Sequence, residues 1–261
     1  MVPVRASFTN WPKSTGRFLL NALLPQRCMC CDQGIGSGGG LCGACWKKMP
    51  FLERPWCSRL GTPFTHDVGD AAVCPSAIAS PPVFNRLRSV AFYNGPARDL
   101  VLGLKFSRRR ELAVLMGNWM ARSGAELLSP DSLIMPVPLH WLRLWQRRFN
   151  QAADLGSAIS RISRCDYDPL CLQRSKRTRQ QVGLSAKERQ KNVRSAFRIK
   201  QERLKDVAGR QVILVDDVYT TGSTISACTK TLLAAGAGSV DVLTFAYASP
   251  TDSEDVISAD L

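Results

Sequence analysis

From residue 83 onward, the apolar positions of the chain alternate between two spacings, one typical of buried strands and one typical of helices. Short apolar or β-branched runs predict strands at residues 88–93, 133–138, 211–215 and 240–247. Apolar residues spaced three and four apart predict helices at residues 96–105, 111–128, 150–162 and 224–235. Strands that alternate with helices are typical of an α/β fold built on a parallel sheet.

The residues on either side of this region differ from it in composition, so the chain divides into four segments. Residues 1–27 form a lead-in, and residues 28–82 hold seven of the ten cysteines. This second segment is rich in Pro, Gly and Ser, so it is poorly suited to build a core of its own. Residues 83–248 carry the α/β pattern, and residues 249–261 form an acidic tail. We therefore predict a small Cys-rich module that precedes an α/β domain.

The charge of the chain is strongly positive and unevenly distributed. The 261 residues carry a formal net charge of +14, and residues 143–205 contain 17 Lys and Arg against 5 Asp and Glu. Such a region favours a nucleic acid or a phosphorylated small molecule as partner, although a solvated cationic surface has the same composition. No apolar run reaches the roughly 18 residues of a membrane helix, and no secretory signal is recognisable. We expect a cytoplasmic protein without membrane insertion, whose cysteines stay reduced.

Residues 212–224 carry the clearest functional signal. Four apolar residues predict a buried strand, Asp216 and Asp217 follow it, and a hydroxyl-rich loop leads into a helix. The loop consists of Thr220, Thr221, Gly222, Ser223 and Thr224. Ligands bind beyond the carboxyl ends of parallel strands, and free N–H groups at a helix start attract phosphate, so the loop is predicted to bind a phosphate monoester. The alternative is an ordinary capped helix, since Asp and Thr are good N-caps.

The two acids narrow the class of ligand. Beside a phosphate, Asp216 and Asp217 are suited to accept hydrogen bonds from ribose hydroxyls or to face Mg²⁺ through water. A phosphate, a ribose diol and a metal ion together describe 5-phosphoribosyl-1-pyrophosphate (PRPP). A P-loop nucleotide site is excluded because Ser223 stands where that motif requires Lys.

A second loop contains candidates for binding the pyrophosphate of PRPP. Pro138 and His140 lie at the end of a predicted strand, and Arg147 and Arg148 follow shortly after. Taken alone, these basic residues are equally compatible with a solvated face, and His140 with a capping or packing role. We predict that they bind the pyrophosphate.

These motifs and their order resemble the competence protein F (ComF) family, a branch of the type I phosphoribosyltransferase superfamily with an amino-terminal zinc module. The resemblance includes the Pro-Val-Pro loop at residues 136–138 and the Arg-Arg-Phe-Asn-Gln string at residues 147–151. It also includes a Gln-x-x-Leu string that begins at Gln181 and an Arg-x-x-Asn string that begins at Arg189. We group Gln181 and Arg189 with the pyrophosphate candidates.

The resemblance implies a Rossmann-like phosphoribosyltransferase domain. It implies that Asp216 and Asp217 contact the ribose hydroxyls and that residues 220–224 hold the 5-phosphate. It also implies a role in competence, the uptake of DNA.

Four cysteines of the amino-terminal module have the spacing of a zinc site. Cys28 and Cys31 form one Cys-x-x-Cys hook, and Cys42 and Cys45 form another. Two such hooks suit tetrahedral Zn²⁺ with four thiolate ligands. Cys30 lies inside the first hook and is an alternative ligand.

A second zinc site is incomplete in this sequence. Many members of the ComF family carry a second pair of hooks, but here Cys57 is followed at the ligand spacing by Leu60, and Cys74 by Ala77. We therefore predict one structural zinc.

The leading hypothesis is a Mg²⁺-dependent phosphoribosyl transfer enzyme whose acceptor is unknown. In such a reaction, the bond from ribose C1 to pyrophosphate breaks and a nitrogen nucleophile attacks from the opposite face. Positioning and charge neutralisation suffice, so no covalent nucleophile is required. Two alternatives stay open: a competence factor that binds single-stranded DNA, and a PRPP-sensing regulator without turnover.

Overall fold

The computed structural model describes residues 26–36, 40–106, 109–139, 149–174 and 196–248, in two compact units. The first unit ends at Lys47 and the second begins at Lys48. The Cys-rich segment at residues 28–82 therefore contributes to both units.

Seven strands lie in the described part of the second unit. They are β1 (Leu87–Phe92), β2 (Leu133–Pro136), β3 (Asp166–Tyr167), β4 (Leu172–Arg174), β5 (Phe197–Ile199), β6 (Gln211–Tyr219) and β7 (Ser239–Tyr247). Five of them form one parallel sheet in the order β1-β7-β6-β2-β3, and β4 pairs antiparallel with β5. The predicted α/β fold with a parallel sheet is confirmed. The strands β3, β4 and β5 escaped prediction because two or three residues are too few to show a periodicity.

The helices of the described residues include all four predicted ones, with bounds that differ by one to five residues, and three short helices that were not predicted. They are α1 (Gly43–Lys47), α2 (Pro75–Ala79), α3 (Gly95–Phe106), α4 (Leu112–Ser123), α5 (Gln151–Ser163), α6 (Leu204–Val207) and α7 (Ser223–Ala234), with a 3₁₀ turn at Gln201–Arg203. Asn150 caps α5, since its side chain accepts a hydrogen bond from the Ala152 N–H at 3.1 Å. The largest difference is in α4, which was predicted to reach residue 128 and ends five residues earlier, before Gly124. None of the helices in the described ranges is long and apolar enough to cross a membrane.

The order of the strands creates a crevice between β2 and β6. The chain continues from β2 to β3 on one side of this pair, and from β6 to β7 on the other side. Crevices at such reversals of strand order are where open α/β sheets bind ligands. In addition, β2 ends with Pro136 opposite Val215, while β6 runs four residues further, to Tyr219. The carboxyl-terminal part of β6 therefore projects past its neighbour β2.

The apolar run of β6 anchors this edge of the sheet. Val212, Ile213, Leu214 and Val215 are fully buried. Because successive side chains point to opposite faces, the burial of all four means that both faces of the sheet are covered. Each such side chain contributes about 1.5–3 kcal/mol relative to an exposed one, so the position of the following acids is firmly set.

Candidate active site and metal centre

The two acids lie where β6 projects beyond β2. Asp216 pairs in register with Thr244 of β7 and is half-buried, while Asp217 is 9% exposed. The backbone N–H of Asp217 donates to the Asp216 carboxylate at 2.9 Å. Both carboxylates are therefore held at the open end of the sheet instead of standing free in solvent.

One cavity of about 180 Å³ opens in the crevice between β2 and β6. Its lining includes the sequence candidates Pro138, Asp216, Asp217, Thr220, Thr221, Gly222, Ser223 and Thr224. The acids and the hydroxyl-rich loop thus face the same space, and the loop is not sealed inside packed side chains. This arrangement meets the geometric requirement of a site that holds a sugar and its phosphate together.

The two acids of the cavity have different electrostatic surroundings. Lys105 of α3 places its Nζ 3.4 Å from Oδ2 of Asp217. Burial raises the pKa of Asp216 well above its usual range, and the neighbouring Asp217 carboxylate raises it further. A carboxyl group in a cleft whose pKa is strongly shifted by burial and a neighbouring charge is typical of functional sites.

The loop after β6 enters α7 through a left-handed residue. Gly222 has φ +68°, and its carbonyl accepts from the Ser226 N–H at 2.7 Å. The hydroxyls of Thr221 and Ser223 lie 2.9 Å apart, and the Ser223 N–H points to the Thr221 hydroxyl at 3.4 Å. Because α7 begins at Ser223, its first N–H groups and these hydroxyls form a cluster of donors suited to a phosphate.

Among the lining residues that the sequence did not assign to the site are Lys105, Gln151 and Arg174. Gln151 is the first residue of α5 and is 2% exposed. Arg174 is the last residue of β4 and is held there by the pairing of β4 with β5. The sequence holds a weak signal for one of them, because Gln151 ends the Arg-Arg-Phe-Asn-Gln string that resembles the ComF family.

Five sequence candidates lie outside the described residues, namely His140, Arg147, Arg148, Gln181 and Arg189. Their role in binding pyrophosphate stays a prediction.

In the first unit, four cysteine sulfurs converge. The Sγ atoms of Cys28, Cys31, Cys42 and Cys45 all lie within 4.8 Å of one another. Tetrahedral Zn²⁺ with Zn–S bonds near 2.3 Å separates its sulfurs by about 3.8 Å, and Cys31 Sγ is 3.6 Å from Cys42 Sγ. The four cysteines therefore fit a structural zinc. Within the described part of the chain, this group does not include Cys30.

Backbone hydrogen bonds shape the first hook. The Cys28 N–H donates to the Gln33 carbonyl at 2.7 Å, and the Asp32 N–H donates to the Cys28 carbonyl at 3.0 Å. Asp32 is left-handed, with φ +63°. The Cys42 N–H donates to Cys28 Sγ at 3.2 Å, and the Cys45 N–H donates to Cys42 Sγ at 3.4 Å. Such N–H donors to sulfur stabilise thiolates.

The thiols of the cluster differ in acidity. Burial acts to raise the pKa of Cys28, but backbone N–H groups of Cys31, Cys42 and Cys30 outweigh it and lower the pKa to about 6. Burial and the neighbouring cysteine side chains raise the pKa of Cys45. Cys28 is therefore prepared to bind a metal as a thiolate, whereas Cys45 needs the cation to lose its proton.

Comparisons with known proteins agree with both parts of this picture. Residues 19–78 match the double zinc ribbon domain, and residues 155–259 match the phosphoribosyl transferase domain. The DNA utilization protein YhgH of Shigella flexneri is 35% identical over 226 residues, which cover 84% of this chain and 96% of the relative. Competence protein F of Haemophilus influenzae is 31% identical over 223 residues, covering 83% and 94% of the two chains. The chain belongs to the ComF family.

More distant similarities extend to other proteins. Competence protein ComFC of Bacillus subtilis is 27% identical to this ComF-family protein over 205 residues, 75% of this chain and 79% of the relative. Among solved structures, the glutamine PRPP amidotransferase of Bacillus subtilis is 18% identical, with a TM-score of 0.35 over 50% of this chain and 25% of that one. A hypoxanthine phosphoribosyltransferase of Staphylococcus aureus is 12% identical, with a TM-score of 0.32 over 55% and 64% of the two chains.

A second segment of this ComF-family protein repeats the backbone of the first hook. The Cys57 N–H donates to the Thr62 carbonyl at 2.8 Å, and the Gly61 N–H donates to the Cys57 carbonyl at 2.8 Å. Gly61 is left-handed, with φ +64°. The Cys74 N–H donates to Cys57 Sγ at 3.2 Å. These bonds correspond one by one to those around Cys28, so residues 57–79 have the backbone of a second zinc hook pair.

Apolar side chains stand at the two remaining ligand positions of this second segment. Leu60 is 7% exposed and Ala77 is 4% exposed, and both pack with Cys57 and Cys74 in the core of the second unit. The Leu60 N–H still donates to Cys57 Sγ, at 3.4 Å. In this second hook pair, apolar side chains occupy the positions of two of the four thiolate ligands.

Proposed function

We propose that this protein binds PRPP with Mg²⁺ and transfers its phosphoribosyl group to a nitrogen acceptor. The observation that carries the proposal is the cavity between β2 and β6, which is shared by the acid pair and the hydroxyl-rich loop. Membership of the ComF family and the match to the phosphoribosyl transferase domain support it.

Each part of the cavity has a role in this proposal. The donors of residues 220–224 bind the 5-phosphate, and the carboxylates of Asp216 and Asp217 accept hydrogen bonds from the ribose hydroxyls. Pro138 and the loop that follows it contact the pyrophosphate, together with the basic candidates outside the described residues.

The donor set also fits Mg²⁺, which prefers oxygen ligands and keeps several of its waters. Asp216, Asp217 and the pyrophosphate oxygens supply such ligands. When bound, Mg²⁺ neutralises charge on the leaving pyrophosphate.

Transfer then follows from positioning. The bond from C1 to the pyrophosphate oxygen breaks, and its electron pair leaves with the pyrophosphate. The nitrogen lone pair of the acceptor forms the new bond to C1, and the nitrogen proton passes to solvent. Because the loop fixes the 5-phosphate and the acids fix the hydroxyls, C1 is held in place and the chain needs no covalent nucleophile.

Thermal unfolding with and without Mg²⁺ and PRPP tests binding. A ligand at one hundred times its Kd stabilises the folded state by about 2.7 kcal/mol, so the melting temperature of the wild type should rise clearly. The variant Asp216→Asn/Asp217→Asn should lose this rise. The matched control is Asp70→Asn, whose side chain is 94% exposed and does not line the cavity; it should keep the rise. Equal responses of the wild type and the double variant would refute the proposal.

Turnover needs a separate assay, because a PRPP-sensing regulator would bind in the same way. We expect pyrophosphate release from PRPP when a panel of nucleobases and amines is offered as acceptors. Protection by Mg²⁺ and PRPP without release of pyrophosphate from any of them would favour the regulator.

A second candidate function is binding of single-stranded DNA. The excess of basic residues at positions 143–205 favours it, and two relatives are named for DNA utilization and competence. The affinity for an oligonucleotide should fall steeply between about 50 and 200 mM salt, measured by fluorescence anisotropy. A flat affinity would argue against this function. A cytoplasmic location is part of both proposals, because zinc ligation requires reduced cysteines.

A further inference from the structure

Lys105 is a buried cation that lines the proposed site. It lies in the last turn of α3, it is 6% exposed, and its Nζ is 3.4 Å from Oδ2 of Asp217. A buried ammonium is unfavourable unless it is paired, and here the partner is an acid that is itself 9% exposed. The pair therefore lies inside the cavity wall and not on the surface.

The charges that line the cavity balance. Among the described lining residues, the charged ones are Lys105 and Arg174 on one side and Asp216 and Asp217 on the other. Two adjacent carboxylates in a poorly solvated site repel each other, and Lys105 relieves this repulsion at Asp217. The free protein thus holds its acid pair without an external cation.

We infer that Lys105 is a built-in counter-ion of the acid pair, a positioning residue that holds Asp217 in place and with which a divalent cation must compete. The inference rests on the proposed function, since it deepens the role of the same acids. Its consequence is that the free protein binds a bare divalent cation weakly, so the cation enters mainly together with the phosphorylated ligand, whose negative charges attract it.

The direction in which cation affinity changes when Lys105 is removed distinguishes a counter-ion from a residue that only supports the fold. If Lys105 only supported the fold, its removal would lower the affinity for every ligand or leave it unchanged. If it competes with the metal, its removal leaves the acids with uncompensated negative charge, and cation affinity must rise. For charges a few ångströms apart in a partly buried site, the rise is on the order of tenfold.

The test uses Mn²⁺ alone as the probe, on the full chain without PRPP. Calorimetry and the Mn²⁺-dependent shift in melting temperature are compared for the wild type, Lys105→Met and Lys105→Arg. We expect Lys105→Met to bind Mn²⁺ on the order of tenfold more tightly than the wild type and Lys105→Arg to stay close to the wild type. An affinity of Lys105→Met that is equal to or below that of the wild type, or undetectable in both, overturns the inference.

The double variant Lys105→Met/Asp217→Asn covers the case in which Lys105→Met does not fold. It removes both partners of the Lys105–Asp217 pair, so neither charge is left without the other, and it should fold when the single variant does not. If the double variant also fails to fold, Lys105 does not act through Asp217 and the inference is wrong. The two proposals fail separately, since wild-type protection by Mg²⁺ and PRPP tests the function, and the sign of the Mn²⁺ change tests Lys105.

Discussion

Replacement of Gly222 by Ala should damage both the fold and the phosphate loop. Gly222 has φ +68°, and an added Cβ would lie 2.5 Å from Oη and 2.8 Å from Cζ of Tyr219. The ring of Tyr219 has little freedom to move away. It stacks on Tyr247 with a centroid distance of 5.4 Å and meets Phe84 edge-on at 6.0 Å. Either the ring or the loop must therefore shift.

The magnitude follows from two contributions. The left-handed backbone costs an Ala about 1–2 kcal/mol relative to Gly. Displacement of Tyr219 weakens an aromatic contact worth about 0.5–1.5 kcal/mol. We expect Gly222→Ala to lower the free energy of unfolding by about 2–3 kcal/mol and to lower the affinity for ribose 5-phosphate about tenfold or more, because the loop donors move out of position.

Gly209→Ala is the matched control. Gly209 has nearly the same φ, +72°, but no heavy atom of the described structure lies within 4 Å of an added Cβ. It precedes β6, at the end of the strand remote from the cavity. This variant should lose only about 1–2 kcal/mol and should bind ribose 5-phosphate like the wild type.

Urea unfolding measures the stability of both variants, and calorimetry with ribose 5-phosphate measures binding. The reasoning is refuted if Gly222→Ala matches Gly209→Ala in both measurements.

Three further predictions concern the zinc hooks and the acid pair. Cys45→Ser should lower the zinc content from about one ion per chain to near zero by mass spectrometry of metals and expose residues 26–47 to proteolysis; protection by Mg²⁺ and PRPP should persist, and retained zinc would contradict the assignment. Leu60→Cys/Ala77→Cys should raise the zinc content from about one ion to about two per chain, because the backbone of the second hook pair is already in place. An unchanged zinc content would contradict the assignment of a second hook pair. The raised pKa of Asp216 means that the folded state binds more protons than the unfolded state above about pH 4, so this group lowers stability as the pH rises through that window. Asp216→Asn should therefore melt at a higher temperature than the wild type at pH 7.5, and the difference should vanish towards pH 4; a difference that is independent of pH would count against the assigned cause.

Much of the fold was predictable because its signals are local. The apolar runs of β1, β2, β6 and β7 and the spacing in α3, α5 and α7 each need only a few neighbouring residues. Strand ends were less predictable, since they depend on pairing. Thus β6 continues past Val215 to Tyr219 because β7 runs alongside it that far, which no local pattern reveals.

By itself, the sequence determined the features whose parts are contiguous: the acids and hydroxyl-rich loop at residues 216–224, and the Cys-x-x-Cys hooks. Only the tertiary structure decided which residues from other parts of the chain lie beside them. Lys105 contacts Asp217 and Arg174 lines the same cavity, because the parallel sheet and the paired strands β4 and β5 bring together segments that are remote along the chain. Likewise, spacing predicted that Leu60 and Ala77 stand at ligand positions, but only the structure shows that both are buried in one core with Cys57 and Cys74. Electrostatic pairing and packing act through space, so a site assembled from remote segments becomes visible only when the chain is folded.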